Sequence, residues 1–343
     1  MERPLRVLAL SRKAKESARG YSFTLRVEQM IPLLAEQGVH VECRLLPRAP
    51  KEKSALLKAE RGYDLCWLHR HVAWPWDLGK IRATARALVF DFDDPVGYSA
   101  TNRGHFSLSR YLKFRSTVRA CRGVLAGSQR LVELARPHCK TVEHFPLCVE
   151  PHTVSFQDRS RTPGDPLRLI WIGSKSTFHY LRSLAPILQM LGDRCFNVEL
   201  WVVAHERLEL PNLRVINRQW SPEAQAQAFA ACHVGLVPLS DDPWSHGKAT
   251  LKPLQFLGNG MPIVAAPVGV NRTLVEGAGC GFLARNPAEW IDAIMKLEAD
   301  ESLRRRLARA GMEWIRAHHM PEVSAPRIAG FFRGICGHAS AAA

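Results

Sequence analysis

The chain has 343 residues, with 46% hydrophobic and 23% charged residues and a formal net charge of +15. That length accommodates two domains of common size, and no apolar run approaches the roughly 20 residues needed to span a bilayer. Nine scattered cysteines without metal-ligand spacing read as reduced thiols, and the positive charge comes with no nucleic-acid motif or interleaved aromatic platform, which favours generic attraction to an anionic membrane surface over a nucleic-acid partner.

The N-terminus, MERPLRVLALSRK, holds a short apolar run followed at once by charges. This suits a first strand rather than a secretory signal and predicts a cytoplasmic chain, with peripheral attachment at the inner membrane surface. Runs rich in Val, Ile and Leu then recur, each followed by a segment of helical period. In the first half they are 5–11, 39–46, 63–69, 87–94, 123–128 and 141–147; in the second, 167–174, 197–204, 213–220, 233–240, 261–268 and 281–284. Such alternation predicts parallel sheets covered by helices on both faces.

The fold class is therefore α/β, with two Rossmann-like doubly wound domains. Segment 151–166, PHTVSFQDRSRTPGDP, lacks period and carries Pro, Gly, Ser and charge, so it marks the boundary between domains read as 1–155 and 163–312. A final helix follows Pro321 through Phe331 and Phe332, and the HASAAA tail reads as disordered. In such sheets ligands bind beyond the carboxyl ends of the strands. The loops concerned are 11–21, 70–76, 93–102, 173–177, 204–206, 219–222, 241–252 and 268–273, half from each domain, and a cleft with both sets facing inward is expected.

WIGSKSTFHYL (171–181) reads as a strand, a tight turn and a helix start. Gly173 lets the backbone approach a ligand, and Ser174 or Ser176 can cap the helix so that N–H groups near Thr177 point at a phosphate; a plainly capped helix is the other reading. In GKATLKPLQFLGNGMPIVAAPVGVN (247–271), Lys248 and Lys252 stand at i and i+4. If a helix starts near Gly247, both ammonium groups rise from one stripe beside free N–H groups and can grip a diphosphate; a solvated lysine face is the alternative.

Together with YDLCWLHR (63–70), LVFDFDDPV (88–96), VLAGSQRLVELA (124–135) and LVEGAGCGFLA (274–284), these segments resemble bacterial glycosyltransferases of the GT-B fold, close to glycosyltransferase family 4, over nearly the whole chain. The resemblance implies a nucleoside-diphosphate sugar held mainly by the C-terminal domain and a glycan or lipid-linked acceptor on the N-terminal one. It also implies a C-terminal helix, 313–332, that packs back on the first domain. The implied reaction is retaining and metal-independent, with the nucleotide sugar as substrate and no cofactor. Gly173, Ser174 and Thr177 would donate to the diphosphate, Lys248 and Lys252 would neutralise it as the sugar leaves, and Trp220, in the Arg218–Trp220 loop, would lie near the base unless it is core.

The chain departs from the family where many members carry two glutamates separated by seven residues: here Gly247 and Gln255 stand in those places. Gln255 can accept a hydrogen bond from a ribose hydroxyl. Gly247 offers no carboxylate, which leaves Asp241 or Asp242 to compensate, and Thr273 replaces another common acidic position. These departures keep open a catalytically silent GT-B partner subunit that binds nucleotide or glycan, and an epimerase acting on the nucleotide sugar.

Asp91, Asp93 and Asp94 end a strand, and three readings compete. Asp93 or Asp94 orients or deprotonates the acceptor hydroxyl, with Asp94 the catalytic candidate; or Asp-x-Asp binds a metal as in the GT-A fold, which the second strand array argues against; or the acids cap the next helix. His69 and His71 have alternate-strand spacing but no third ligand nearby, so they read as structural or substrate-facing, with Arg70 an acceptor-side cation. His318 and His319 read as a solvated helix end.

Overall fold

The computed structural model describes residues 3–12, 21–98, 105–157, 159–162, 164–194 and 197–337. The tail 338–343, Cys195 and the portions 13–20 and 99–104 of the ligand-facing loops lie outside the described residues. The chain forms two compact units, the first Met1–Glu150, Asp242–Ala249 and His318–Ala343, the second Pro151–Asp241 and Thr250–Ala317. The division at Glu150 falls where the period-free segment begins. Asp242–Ala249, expected within the second domain, belongs to the first.

The first unit runs β1 (Leu5–Ser11), α1 (Tyr21–Arg26), α2 (Ile31–Glu36), β2 (Val39–Leu45), α3 (Pro50–Ala59), β3 (Tyr63–His69), α4 (Pro75–Arg82), β4 (Ala85–Phe92), α5 (Leu108–Ala120), β5 (Gly123–Ala126), α6 (Gln129–Ala135) and β6 (Val142–His144). Its strands form one parallel sheet in the order β2-β1-β3-β4-β5-β6. Every residue of β3 is buried, as a strand covered on both faces requires.

The second unit runs β7 (Leu167–Ile172), α7 (Phe178–Arg194), β8 (Val198–Ala204), β9 (Arg214–Gln219), α8 (Pro222–Ala231) and β10 (Val234–Val237). After α9 (Pro243–Gly247), which lies in the first unit, come α10 (Leu251–Gly258), β11 (Ile263–Ala265), α11 (Val270–Ala278), β12 (Gly281–Leu283), α12 (Pro287–Ala299) and α13 (Glu301–His318). The sheet order is β12-β11-β10-β7-β8-β9, again parallel. Phe256 of α10 presses so closely on β10 that a Cβ at Gly235 would lie 2.3 Å from its ring, so only glycine fits there.

Both sheets are doubly wound, and strand order reverses between β1 and β3 in the first and between β7 and β10 in the second. In folds of this kind ligands bind at such switch points, beyond the carboxyl ends of the strands.

The helix expected over 313–332 is two helices. α13 ends at His318, and Pro321, tolerated in a first turn, opens α14 (Pro321–Cys336). Ile328, Ala329 and Phe332 of α14 enter the first unit's core with Phe23, Leu34 and Trp67, and Phe332 meets Trp67 edge-on at 5.2 Å. His319, read from the sequence as solvated, is buried at this joint, and its Nδ1 donates to the Leu147 carbonyl at 2.8 Å. Burial pushes its pKa down to about 4. No helix among the described residues is long and apolar enough to cross a membrane.

Candidate active site

At the carboxyl edge of the first sheet, β3 and β4 run in register with His69 opposite Asp91. Arg26 of α1 and Asp91 are both fully buried, and the guanidinium donates to Asp91 Oδ1 at 2.5 and 2.8 Å and to the Phe145 carbonyl at 2.8 Å. His69 Nδ1 lies 3.0 Å from Asp91 Oδ2, and its Nε2 lies 3.2 Å from Ser22 Oγ, which donates to Asp93 Oδ2 at 2.5 Å. Both imidazole nitrogens are thus engaged, which removes the two-histidine metal reading for His69. Burial works against the charge on Asp91, but Arg26 and then His69 keep its pKa below the usual carboxylate value.

Arg70 follows with φ of 53°, a left-handed conformation uncommon for a side chain of this size. The turn lets its N–H donate to the Asp91 carbonyl at 2.7 Å and returns its guanidinium to Asp93 Oδ1 at 3.2 Å and to Asp94. Burial alone would raise the Asp93 pKa; the Arg70 charge, helped by His69, Arg26 and the Ser22 hydrogen bond, outweighs it and holds the carboxyl at about 2. Each carboxylate of the Asp-x-Asp-Asp run is therefore committed to a guanidinium, which disfavours both the metal reading and the cap reading. His71 is buried and neutral, its pKa pushed down to about 4 by burial and by the charges of Arg12 and Lys53, and its Nε2 has no hydrogen-bond partner among the described residues.

The segment Asp242–Ala249 is held against this edge. The Ala249 N–H donates to the Asp93 carbonyl at 2.9 Å, and Ser128 Oγ donates to the Gly247 carbonyl at 2.8 Å. A Cβ at Gly247 would lie 2.9 Å from Pro95 Cβ, so the position that carries a glutamate in the resembling family is filled here by packing. Asp242 does not replace that acid: its carboxylate caps α9, accepting from the Ser245 N–H at 2.8 Å.

The shared helical stripe for Lys248 and Lys252 does not form. Lys248 ends α9 in extended backbone, Thr250 is the N-cap of α10, and Lys252 lies in its first turn. Pro253 explains the break: it has no N–H to donate, and in a continuous helix its ring would meet the Ala249 carbonyl. Lys248 consequently belongs to the first unit and Lys252 to the second.

In the second unit, the turn after β7 and the start of α10, which follows β10, flank the β7/β10 switch point. A Cβ on Gly173 would lie 2.2 Å from the Trp171 ring and 2.7 Å from Thr177 Oγ1, so glycine is required. Thr177 shapes the turn with both its polar groups: its N–H donates to the Ser174 carbonyl at 2.9 Å, and its hydroxyl bonds the Ser174 N–H and carbonyl, each at 3.0 Å. The Ser174 and Ser176 hydroxyls meet at 2.9 Å on the exposed side, away from the capping role expected of them. Ser128, Ser221, Asp242 and Asn286 cap the helices that follow them, whereas Thr250 makes no such bond and its buried hydroxyl has no partner among the described residues. Lys252 Nζ donates to Gln255 Oε1 at 3.1 Å, and Gln255 is buried. Trp220 is not core: it is 43% exposed at the end of β9, with Arg218 stacked over Trp201 nearby in sequence.

Arg26 and Ser22 lie on α1, beyond the loops expected from the sequence to face a ligand. Arg26 had a signal, a lone cation inside the apolar stretch FTLRV, which calls for a buried counter-charge.

Residues 185–329 match a family model described as glycosyl transferase-like. No curated protein matches the chain in sequence. Among solved structures, the chain is similar to sucrose-phosphate synthase from Thermosynechococcus elongatus, at 15% identity over 97% of this chain and 99% of that one, with a TM-score of 0.71. It is also similar to Anabaena HepE in complex with UDP, at 16% identity over 96% and 100% of the two chains and a TM-score of 0.70. A structure of HepE with UDP-glucose gives 15% identity, 96% and 100% coverage and a TM-score of 0.68. At these identities the likeness establishes the fold, the twin Rossmann-like architecture of GT-B glycosyltransferases, as the motifs implied.

Proposed function

We propose that this chain is a glycosyltransferase that moves a sugar from a UDP-sugar to a hydroxyl of a glycan or lipid-linked acceptor, with retention and without a metal. The observation that carries the reading is the pairing, at the second sheet's switch point, of the Gly173 turn with the start of α10, where Lys252 stands beside a helix N-terminus that Thr250 leaves uncapped. Such a terminus and a cation suit a diphosphate. The glycosyl transferase-like match over 185–329 and the UDP and UDP-glucose bound by HepE support the donor class.

The Gly173 N–H donates to the Val203 carbonyl at 3.3 Å and the Ser174 N–H to Thr177 Oγ1. In this reading Gly173 therefore gives close backbone approach, the exposed Ser174 hydroxyl donates to the diphosphate, and Thr177 holds the turn. Lys252 stabilises the charge that develops as the sugar leaves, a contribution often the largest in catalysis. Gln255 positions Lys252 and faces the ribose, and Trp220 flanks the base. Asp94, aimed by Arg70, orients the acceptor hydroxyl. A carboxyl held at about 2, as Asp93 is, makes a poor base. The acceptor proton passes instead to the departing phosphate oxygen, and the new glycosidic bond forms on the face that the phosphate vacates.

Gly247 favours one other reading, a silent nucleotide-binding subunit, because its packing against Pro95 leaves no place for an acid. Incubation with UDP-sugars, with and without lipid-linked saccharide and EDTA, separates the two. Slow UDP release without acceptor, faster with acceptor and indifferent to EDTA, with an anomeric configuration retained by NMR, supports transfer. Binding of UDP with no release under any condition supports the silent subunit.

A further inference from the structure

The three most exposed large apolar side chains among the described residues are Trp76 (66%), Leu108 (61%) and Phe106 (60%). They belong to one part of the first unit. α4 packs beside α5, Trp76 stacks on Trp74 at 5.5 Å, Lys113 of α5 lies 5.2 Å over the Trp74 ring, and Phe106 sits 5.6 Å from Tyr111 of α5. Helical spacing continues the face outward: Leu108, Leu112, Arg115 and Arg119, at i, i+4, i+7 and i+11, share one side of α5, and the buried Thr117 lies opposite them.

The charge around these apolar residues is of one sign. α5 carries Arg110, Lys113, Arg115 and Arg119 and no carboxylate; α4 adds Lys80 and Arg82, and its Asp77 is paired with Lys53 at 2.8 Å. Exposed Trp, Phe and Leu ringed by arginine and lysine suit the headgroup layer of a membrane, where aromatic rings sit half-wet and cations meet lipid phosphates. Location adds a second argument. α4 and α5 follow the parallel strands β3 and β4, so both begin at the carboxyl edge of the sheet, the edge that holds Arg70, Asp93 and Asp94.

We propose that the α4–α5 face seats the first unit on an anionic bilayer, with Trp76, Phe106, Leu108 and Leu112 entering the headgroup layer and Arg115 and Arg119 on lipid phosphates. The seat brings the Arg70–Asp94 edge down to a lipid-linked acceptor. This last step rests on the proposed glycosyl transfer; the lipid contact itself does not.

The test is co-sedimentation with vesicles of phosphatidylcholine alone or with about one third phosphatidylglycerol, across a salt series. Wild type is expected to bind the anionic vesicles at least about tenfold more tightly than the neutral ones, and less tightly as salt rises. Trp76→Ser/Leu108→Ser/Leu112→Ser and Arg115→Gln/Arg119→Gln are each expected to weaken that binding about tenfold, with circular dichroism and UDP-dependent thermal stabilisation unchanged. Equal binding to neutral vesicles, no binding, or variants that bind like wild type would overturn the proposal. A dimer that the same substitutions dissociate, without vesicle binding, would assign the face to a second copy and overturn it too. Vesicle binding in a protein that ignores UDP would contradict the proposed reaction and leave the lipid seat standing.

Discussion

Lys252 and Gln255 form a hydrogen-bonded pair across the first turn of α10, with Nζ donating to the amide oxygen at 3.1 Å. A carboxylate in the same place would pair with the ammonium and cancel its charge. A neutral amide fixes the direction of Lys252 and brings no negative charge of its own to the helix terminus.

Lys252→Ala is therefore expected to lower kcat/KM for UDP-sugar turnover by about tenfold to a hundredfold, since one charge-assisted bond to the leaving diphosphate contributes roughly 1.5–3 kcal/mol. Lys252→Arg should recover part of the loss. The thermal midpoint without ligand should stay close to wild type, because Lys252 is only half-buried. Steady-state UDP release measures both variants.

Gly247 is a packing glycine, so restoring an acid there is expected to harm the protein. A Cβ lies 2.9 Å from Pro95 Cβ and 3.3 Å from Leu131 Cδ2, and Gly247→Ala should cost about 1–3 kcal/mol of unfolding free energy, Gly247→Glu more. Urea denaturation checks this. A Gly247→Glu variant of undiminished stability would show that the segment can move away from Pro95.

The buried Arg26–Asp91 pair gives a coupling prediction. Asp91→Leu leaves a fully buried guanidinium without its carboxylate and is expected to destabilise by about 3–5 kcal/mol. Arg26→Met/Asp91→Leu should lose less than the sum of the single changes, because the double variant strands no charge. Additive losses in a double-mutant cycle would contradict the pairing.

His71 and His319 predict acid sensitivity before the carboxylates titrate. Both are buried with pKa values pushed down to about 4, by burial and, for His71, also by the charges of Arg12 and Lys53. In the unfolded chain each binds a proton near its ordinary 6.5, so between 6.5 and 4 the unfolded state holds more protons and stability falls as pH falls. The loss is on the order of 3 kcal/mol for each histidine by pH 4, and flat above about pH 7.5. Thermal midpoints across that window should decline for wild type and decline less steeply for His71→Gln and His319→Gln.

The sheets were legible because a strand covered on both faces must be apolar along its length: all twelve runs became strands, with β1 and β3 at the residues expected. Boundaries were less legible where one run includes the turn after it, as in 261–268, of which only Ile263–Ala265 is strand. The α9–α10 break comes from Pro253, which bars a continuous helix from Gly247 even though the lysine spacing suits one. The Arg26–Asp91–His69–Ser22 chain lay beyond periodicity altogether. It joins residues up to 69 positions apart, and only the parallel register of β3 and β4 and the docking of α1 bring them together.

The most direct test of the central claim is thermal shift with UDP, GDP, ADP and dTDP, with and without EDTA, on wild type, Lys248→Ala and Lys252→Ala. A ligand at about a hundred times its dissociation constant adds roughly 2.7 kcal/mol, a rise of several degrees. UDP should stabilise wild type equally with and without EDTA, and Lys252→Ala should lose most of that rise. No stabilisation by any nucleotide, or stabilisation that needs a divalent metal and ignores Lys252, would contradict a UDP-sugar site at the head of α10.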